Sequence, residues 1–195
     1  MLAGSATAAE SLPGNTAADH MPVVVELFTS QGCSSCVPAD AYFAELAKRP
    51  DVIALAFHVD YWNYIGWSDP FGKPWASARQ RDYRESLKTR FVYTPQIVID
   101  GFEQVVGSDE TACDKLIRAA AAKVATGPTL HLRWRGDGAL IVDVGDGPSP
   151  PSEPATLWLI GYDTEHTTKV LRGENKGRTL SDYHPVRSYR RLGKW

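Results

Sequence analysis

Two cysteines separated by two residues follow closely after a short segment rich in β-branched residues. The segment runs from Val23 to Phe28, and the cysteines are Cys33 and Cys36. From Cys33 onward the apolar residues recur at helical spacing, and Pro50 ends this pattern. The pattern predicts a buried strand, a polar loop and a helix with Cys33 at its N-terminus. This junction restricts the chain to few folds.

The patterns that follow predict the element order β-α-β-α-β-β-α. Further strands are predicted at residues 52–59, 96–100 and 103–106, and further helices at about residues 75–88 and 109–125. The first two strands flank a crossover helix and should therefore be parallel. Asp100-Gly101 is a hairpin turn signal, so the last two strands should be antiparallel. The predicted fold class is α/β, a thioredoxin-like fold with a mixed four-stranded sheet and flanking helices.

The composition differs along the chain and predicts three parts. Residues 1–20 are rich in small residues and lack hydrophobic periodicity, which predicts a flexible tail or the remnant of a secretory signal. Residues 21–127 form the thioredoxin-like domain. Residues 128–195 carry strand-like runs at 129–134, 139–144, 156–162 and about 167–171, which predict a small β-rich module resembling a sandwich.

The overall composition excludes several classes of protein. The formal net charge is −2, so no basic surface for nucleic acid is expected. No apolar run reaches the roughly 18 residues that a membrane span needs. Three cysteines are too few for a disulfide scaffold, so the close pair is expected to serve chemistry or metal binding. No organic cofactor is predicted.

The spacing of the cysteine pair suits thiol–disulfide exchange. Cys33 at a helix N-terminus would have a stabilised thiolate, because free backbone N–H groups and the helix dipole favour an anion there. Cys36, about one turn further, would be the resolving thiol. The intervening Ser34 and Ser35 carry no charge, so the sequence does not indicate whether the pair oxidises or reduces its substrate.

Two residues outside the pair are predicted to assist it. Pro95 stands immediately before a predicted strand, where a thioredoxin fold places a cis-proline against the disulfide. Glu26 lies in the strand that leads to the cysteines, and as a buried carboxylate it would accept a proton from Cys36. Pro95 and Glu26 therefore join the two cysteines as predicted catalytic residues.

An aromatic loop between the second strand and the second helix is a candidate for substrate binding. Trp62 and Trp67 belong to it, and Thr94 precedes the predicted cis-proline. Aromatic residues are enriched on recognition surfaces, so Trp62 and Trp67 are predicted to bind substrate. Thr94 is predicted to join them because it stands beside Pro95. The alternative is that the aromatic loop covers the edge of the sheet as core.

Several motifs resemble a bacterial family of secreted thioredoxin-like proteins without an assigned function. The first extends from Glu26 through Gly32-Cys33-Ser34-Ser35-Cys36 to Asp40, and other similar stretches are residues 58–62, 66–71, 79–81, 93–101, 172–180, 186–187 and 192–193. The resemblance covers nearly everything from Val23 onward and implies export to the periplasm or outside the cell. Val37 departs from the family, which usually has proline there. The resemblance also implies that relatives continue beyond Trp195 and that this copy is truncated.

The sequence leaves more than one function open. The first is a thiol–disulfide oxidoreductase that acts on a thiol or disulfide of a protein substrate. The alternative is a copper-binding or copper-delivery protein in which His58 joins Cys33 and Cys36, since thiolates and imidazole suit Cu(I). A static disulfide and a non-enzymatic interaction protein are further options. The four residues Arg172, Glu174, Asn175 and Arg178 are expected to form a solvated turn with internal salt bridges, and the alternative is a polar site between the modules.

Overall fold

The structure is a computed structural model that describes residues 21–123, 127–146 and 154–194. The predicted tail, residues 1–20, lies outside the described residues. The first part contains β1 (Val23–Thr29), a 3-10 helix (Ser34–Cys36), α1 (Val37–Leu46), β2 (Val52–His58), a second 3-10 helix (Asn63–Ile65), α2 (Pro74–Ser86), β3 (Gln96–Ile99), β4 (Glu103–Val106) and α3 (Glu110–Ala121). No helix in the described ranges is long and apolar enough to span a membrane.

Four strands form one mixed sheet in the order β2-β1-β3-β4. β1 and β2 are parallel, with Val23 opposite Val52 and Thr29 opposite His58. β3 is antiparallel to β1 and to β4. The predicted α/β fold class is confirmed, and the order and directions are those of a thioredoxin-like fold.

The residues of β1 alternate between the two faces of this sheet, as the period of a strand requires. Val25 and Leu27 pack in a core with Phe43 of α1 and Ile117 of α3. Phe28 packs on the opposite face with residues of β2 and α2. Each face is thus covered by helices, and the side chains at even-numbered positions of β1 point away from α1.

The hairpin between β3 and β4 turns at the predicted dipeptide. Asp100 and Gly101 have φ angles of 47° and 74°, the left-handed backbone that such a two-residue turn needs. Asp100 also accepts a hydrogen bond from the backbone N–H of Val24 at 2.8 Å, which ties the turn to β1.

The predicted third helix starts one residue later than expected, because Asp109 caps it by accepting from the N–H of Ala112.

The C-terminal part is rich in β-structure, as predicted, but its strands form pairs rather than one sandwich-like sheet. The pairs are β5–β6, β7–β10 and β8–β9, all antiparallel. The strands are β5 (Leu130–Trp134), β6 (Leu140–Val144), β7 (Thr156–Tyr162), β8 (Glu165–Lys169), β9 (Thr179–Tyr183) and β10 (Val186–Lys194). β9 and β10 escaped prediction because their sequences are mostly polar.

Two contacts attach the C-terminal strands to the edge of the four-stranded sheet. Ala56 of β2 donates its N–H to the carbonyl of His184 at 3.0 Å, between β9 and β10. The ring of Tyr189 stacks on Trp158, with centroids 4.2 Å apart, and also meets Phe57 of β2 edge-on. These contacts bring β9 alongside α1, and with it the loop between β8 and β9.

Gly107 lies in a tightly packed position beneath the cysteine region. A Cβ atom there would stand 3.2 Å from the Cβ atoms of Ala39 and Pro95 and 3.3 Å from a methyl group of Leu27. Gly107→Ala should therefore lower the free energy of unfolding by about 1–3 kcal/mol, the usual cost of overpacking. Urea denaturation measures this value. Gly136→Ala is the matched control, because no atom lies within 4 Å of its added Cβ, and an equal loss in both variants would contradict the packing argument.

Candidate redox site around Cys33 and Cys36

Cys33 and Cys36 form a disulfide at the junction between β1 and α1. Their sulfur atoms are 2.17 Å apart and their Cα atoms 5.4 Å apart. Cys33 caps the 3-10 helix that runs directly into α1, as the sequence predicts. Neither cysteine is exposed to solvent, although Ser34 and Ser35 between them are exposed. The disulfide therefore lies directly beneath the surface.

A chain of hydrogen bonds connects the predicted substrate residues to Cys33. The indole N–H of Trp62 donates to Thr94 Oγ1 at 2.8 Å, and this hydroxyl donates to Cys33 Sγ at 3.3 Å. The peptide bond between Thr94 and Pro95 is cis, and Pro95 is buried. Thus Trp62, Thr94 and Pro95 are brought to the cysteines.

Trp67 lies on the other side of the cysteine loop and contacts a glutamine rather than a cysteine. Its indole N–H donates to Gln31 Oε1 at 3.0 Å. A Cβ on Gly173 would lie 3.2 Å from the Cβ of Trp67, so the loop after β8 packs closely against this ring. Trp67 therefore supports the loop that carries Cys33.

The structure gives Glu26 partners other than the predicted one. Its side chain lies on the α2 face of β1, and Arg79 Nη2 and the Tyr83 hydroxyl both donate to its Oε1 at 2.6 Å. Cys36 directly precedes α1, and α1 covers the opposite face of the sheet. Glu26 is half of a buried ion pair with Arg79, and its predicted role as the proton acceptor for Cys36 stays a prediction.

Asp40 is the carboxyl group that shares a helix face with Cys36. Both residues have helical backbone and are four positions apart, which places their Cβ atoms roughly 5–6 Å apart. Thr29 at the end of β1 donates its hydroxyl to Asp40 Oδ1 at 2.7 Å. Burial outweighs this hydrogen bond and the nearby His58, and it raises the pKa of Asp40 to about 7. Its spacing from Cys36 was the signal that the sequence analysis missed.

A buried polar cluster supports the cysteine loop from below. His58 Nδ1 lies 2.8 Å from Asp69 Oδ2, and His58 Nε2 lies 3.7 Å from Asp182 Oδ1. Gln31 donates its backbone N–H to Asp69 and its side-chain amide to Asp182, at 2.8 and 2.6 Å. Burial opposes a charge on His58, but the neighbouring carboxylates prevail and raise its pKa to about 9.

These contacts bear on the copper alternative. Both ring nitrogens of His58 face carboxylates, and its side chain is almost fully buried, so the ring already has partners other than the cysteines. Within the described ranges, no group of three or more His, Cys, Asp and Glu residues could hold a metal ion. The geometry therefore places His58 in a structural ion-pair cluster.

The loop between β8 and β9 covers the cysteine pair. Asn175 donates its side-chain amide to the carbonyls of Gln31 and Cys33, at 2.9 and 3.1 Å. Glu174 Oε2 accepts from the backbone N–H of Ser34 at 3.1 Å. Of the four residues considered for a polar site between the modules, Glu174 and Asn175 thus contact the cysteine loop. This covering contact explains why Cys33 has no exposure.

Residues 24–195 match a family described as a protein of unknown function, DUF1223. The chain belongs to the DUF1223 family. It is also similar to the X-ray crystal structure of a protein from Agrobacterium tumefaciens, with 32% identity and a TM-score of 0.78. That similarity covers 92% of this chain and 76% of the other. A comparison with curated proteins finds no match. The predicted membership of an uncharacterised bacterial family is confirmed.

Glu26→Gln tests whether this carboxylate serves the fold or the cysteines. Leaving Arg79 without its partner should lower the free energy of unfolding by on the order of 3 kcal/mol. The rate at which dithiothreitol reduces the disulfide should stay within twofold of the wild type, because Glu26 lies on the other face of the sheet. Chemical denaturation and timed thiol assays measure the two quantities.

Glu45→Gln is the matched control, since it removes an exposed ion pair with Lys48 and should change stability by less than about 1 kcal/mol. A strong effect of Glu26→Gln on disulfide reduction in a stable protein would restore the predicted catalytic role of Glu26.

Proposed function

We propose that this protein is a thiol–disulfide oxidoreductase that acts through Cys33 and Cys36 on a cysteine of a protein substrate. The observation that carries the proposal is the position of the disulfide. It stands at the start of a helix, with the Thr94 hydroxyl on Cys33 Sγ and the cis Thr94–Pro95 bond beside it. A purely structural disulfide needs only two sulfurs in reach, whereas this one has polar groups directed at the sulfur that would react.

The proposed exchange runs through a mixed disulfide. A substrate thiolate attacks Cys33 Sγ, the Cys33–Cys36 bond breaks, and Cys36 leaves as a thiolate that takes up a proton. A second substrate thiolate then attacks the substrate sulfur of the mixed disulfide, and Cys33 leaves. The substrate gains a disulfide and loses two electrons to the cysteine pair. The reverse sequence reduces a substrate disulfide.

Asp40 exchanges this proton with Cys36 in the proposal: it donates the proton when Cys36 leaves, and it accepts the proton when Cys36 attacks in the reverse sequence. A group with a pKa of about 7 is ionised in roughly half of the molecules at neutral pH, which suits general acid–base catalysis. Asp40 keeps some solvent exposure, so it can return the proton to water. Pro95 and Thr94 shape the surface on which the substrate sulfur would approach Cys33.

We also propose that the protein works in the periplasm or outside the cell. Disulfides persist in oxidising compartments, and they are rare in the cytosol apart from transient catalytic ones. Because Asn175 and Glu174 cover the pair, a protein substrate needs a local displacement of the loop between β8 and β9. Its exposed rim, with Ser34 and Ser35, is the expected first contact of the substrate.

The cysteine pair should cycle reversibly. Dithiothreitol should reduce it and oxidised glutathione should restore it, with a change of two thiols per chain by mass spectrometry after alkylation. Cys36→Ser should hold a mixed disulfide between Cys33 and its substrate, and Cys33→Ser should not. Cys113→Ser is the matched control, because Cys113 is buried in the core and burial raises its pKa to about 12. A pair that resists both reagents in the folded protein would refute the proposal.

Asp40→Asn should slow the resolving step selectively. In the reaction of the reduced protein with Ellman's reagent, attack by Cys33 releases one thionitrobenzoate and resolution by Cys36 releases a second. The second phase should be at least tenfold slower at pH 8, within the range for loss of a general base. In the wild type its rate should rise through pH 7 as Asp40 ionises, and the variant should lose this rise. Equal second phases in both proteins would exclude Asp40 from the proton transfer.

A further inference from the structure

The loop between β8 and β9 places a negative charge at the start of the helix that carries Cys33. Glu174 Oε2 accepts the backbone N–H of Ser34 at 3.1 Å, the residue directly after Cys33. Hydrogen bonds from Ser34 lower the pKa of Glu174, so its side chain is a carboxylate at neutral pH. The 3-10 helix continues into α1, so this N–H belongs to the N-terminus of a long helical segment.

This arrangement opposes the usual effect of a helix N-terminus on a cysteine. Free N–H groups at that position stabilise a thiolate and lower the pKa of the thiol. Here the carboxylate of Glu174 already accepts a hydrogen bond from one of these N–H groups. A thiolate on Cys33 would form next to the residue whose N–H binds Glu174, and at a site without solvent exposure. Both conditions disfavour the anion.

The other groups around the pair do not reverse this balance. The Thr94 hydroxyl donates to Cys33 Sγ, but it is neutral. Four titratable groups lie on the buried side of the cysteine loop: Asp40 of α1, Asp69, Asp182 of β9 and His58. The positive charge of His58 is shared between the carboxylates of Asp69 and Asp182. Within the described ranges, no lysine or arginine donates a hydrogen bond to Cys33, Ser34 or Cys36.

We propose that Glu174 biases the Cys33–Cys36 pair toward electron donation, because it disfavours the Cys33 thiolate and so destabilises the reduced centre relative to the disulfide. This inference rests on the proposed function and adds its direction. A cysteine pair oxidises strongly when its reduced form is stabilised, and the converse holds for a reductant. Glu174 therefore acts on the charge of Cys33 through the N–H of Ser34, as a positioning residue. It belongs to the C-terminal module.

The favoured reaction starts from the dithiol. Cys33 attacks a substrate disulfide, whose S–S bond breaks, and one substrate sulfur leaves as a thiolate that is protonated. Cys36 then attacks Cys33 Sγ, and the second substrate sulfur leaves as a thiol. Two electrons and two protons pass from the pair to the substrate. A dithiol donor, represented in the test by dithiothreitol, reduces the pair again.

Glu174→Gln keeps the shape and an acceptor oxygen but removes the charge. The acid dissociation constant of Cys33, from the pH dependence of alkylation, should increase about two- to fivefold. At pH 8.5 the equilibrium with glutathione should shift toward the dithiol by a similar factor. Because Glu174 is exposed, both effects should shrink when salt rises from 0.05 to about 1 M. Glu103→Gln is the matched control, an exposed glutamate opposite Ile99 at the far end of the sheet.

The outcomes separate this inference from the proposed function. An unchanged Cys33 dissociation constant in Glu174→Gln, or a shift toward the disulfide, would overturn the role of Glu174. A wild-type pair that oxidises glutathione would overturn the assigned direction. Neither result touches the proposed function, which fails only if the wild-type pair does not cycle. If Glu174→Gln disturbs folding, Glu174→Ala with the same salt series gives the second measurement.

Discussion

The imidazole of His58 lies between two buried carboxylates, and it links the four-stranded sheet to the C-terminal strands. Asp69 comes from the aromatic loop, Asp182 from β9, and His58 from the end of β2. Gln31 of the cysteine loop binds both carboxylates. A buried ion cluster adds little net stability over an apolar core, but removing one member leaves an unpaired charge and is costly. The cluster therefore holds four segments in one relative arrangement.

Much of the first part could be predicted because its elements are locally consistent. The β-branched run of β1, the Asp100-Gly101 turn and the placement of Thr94-Pro95 each indicate the same topology, and the structure has it. The C-terminal strands were harder to predict. β9 and β10 are mostly polar, and β10 pairs with β7, a strand that is not adjacent to it in sequence. Contacts such as the hydrogen bond from the Ala56 N–H to the His184 carbonyl also hold them in place, and no local sequence pattern reveals these contacts.

The cysteine pair of the site could be predicted from the sequence, whereas most of the residues that surround the pair could not. The spacing of Cys33 and Cys36 located the disulfide, and the aromatic loop supplied Trp62. Which face of β1 lies under α1 depends on tertiary packing, so the sequence did not reveal that Glu26 pairs with Arg79, and its role toward Cys36 stays a prediction. Asp40 was overlooked although it stands one helical turn from Cys36. Asn175 and Glu174 could not be placed, since their contacts with the cysteine loop arise only from tertiary structure.

The cover over the cysteines has a consequence for how the protein is made. Asn175 lies 142 residues after Cys33, so a chain that is made from its N-terminus contains all four strands of the sheet before it contains the segment that shields the pair. Until that segment has been made, the cysteines lack this cover. The pair can thus acquire its disulfide before its cover exists.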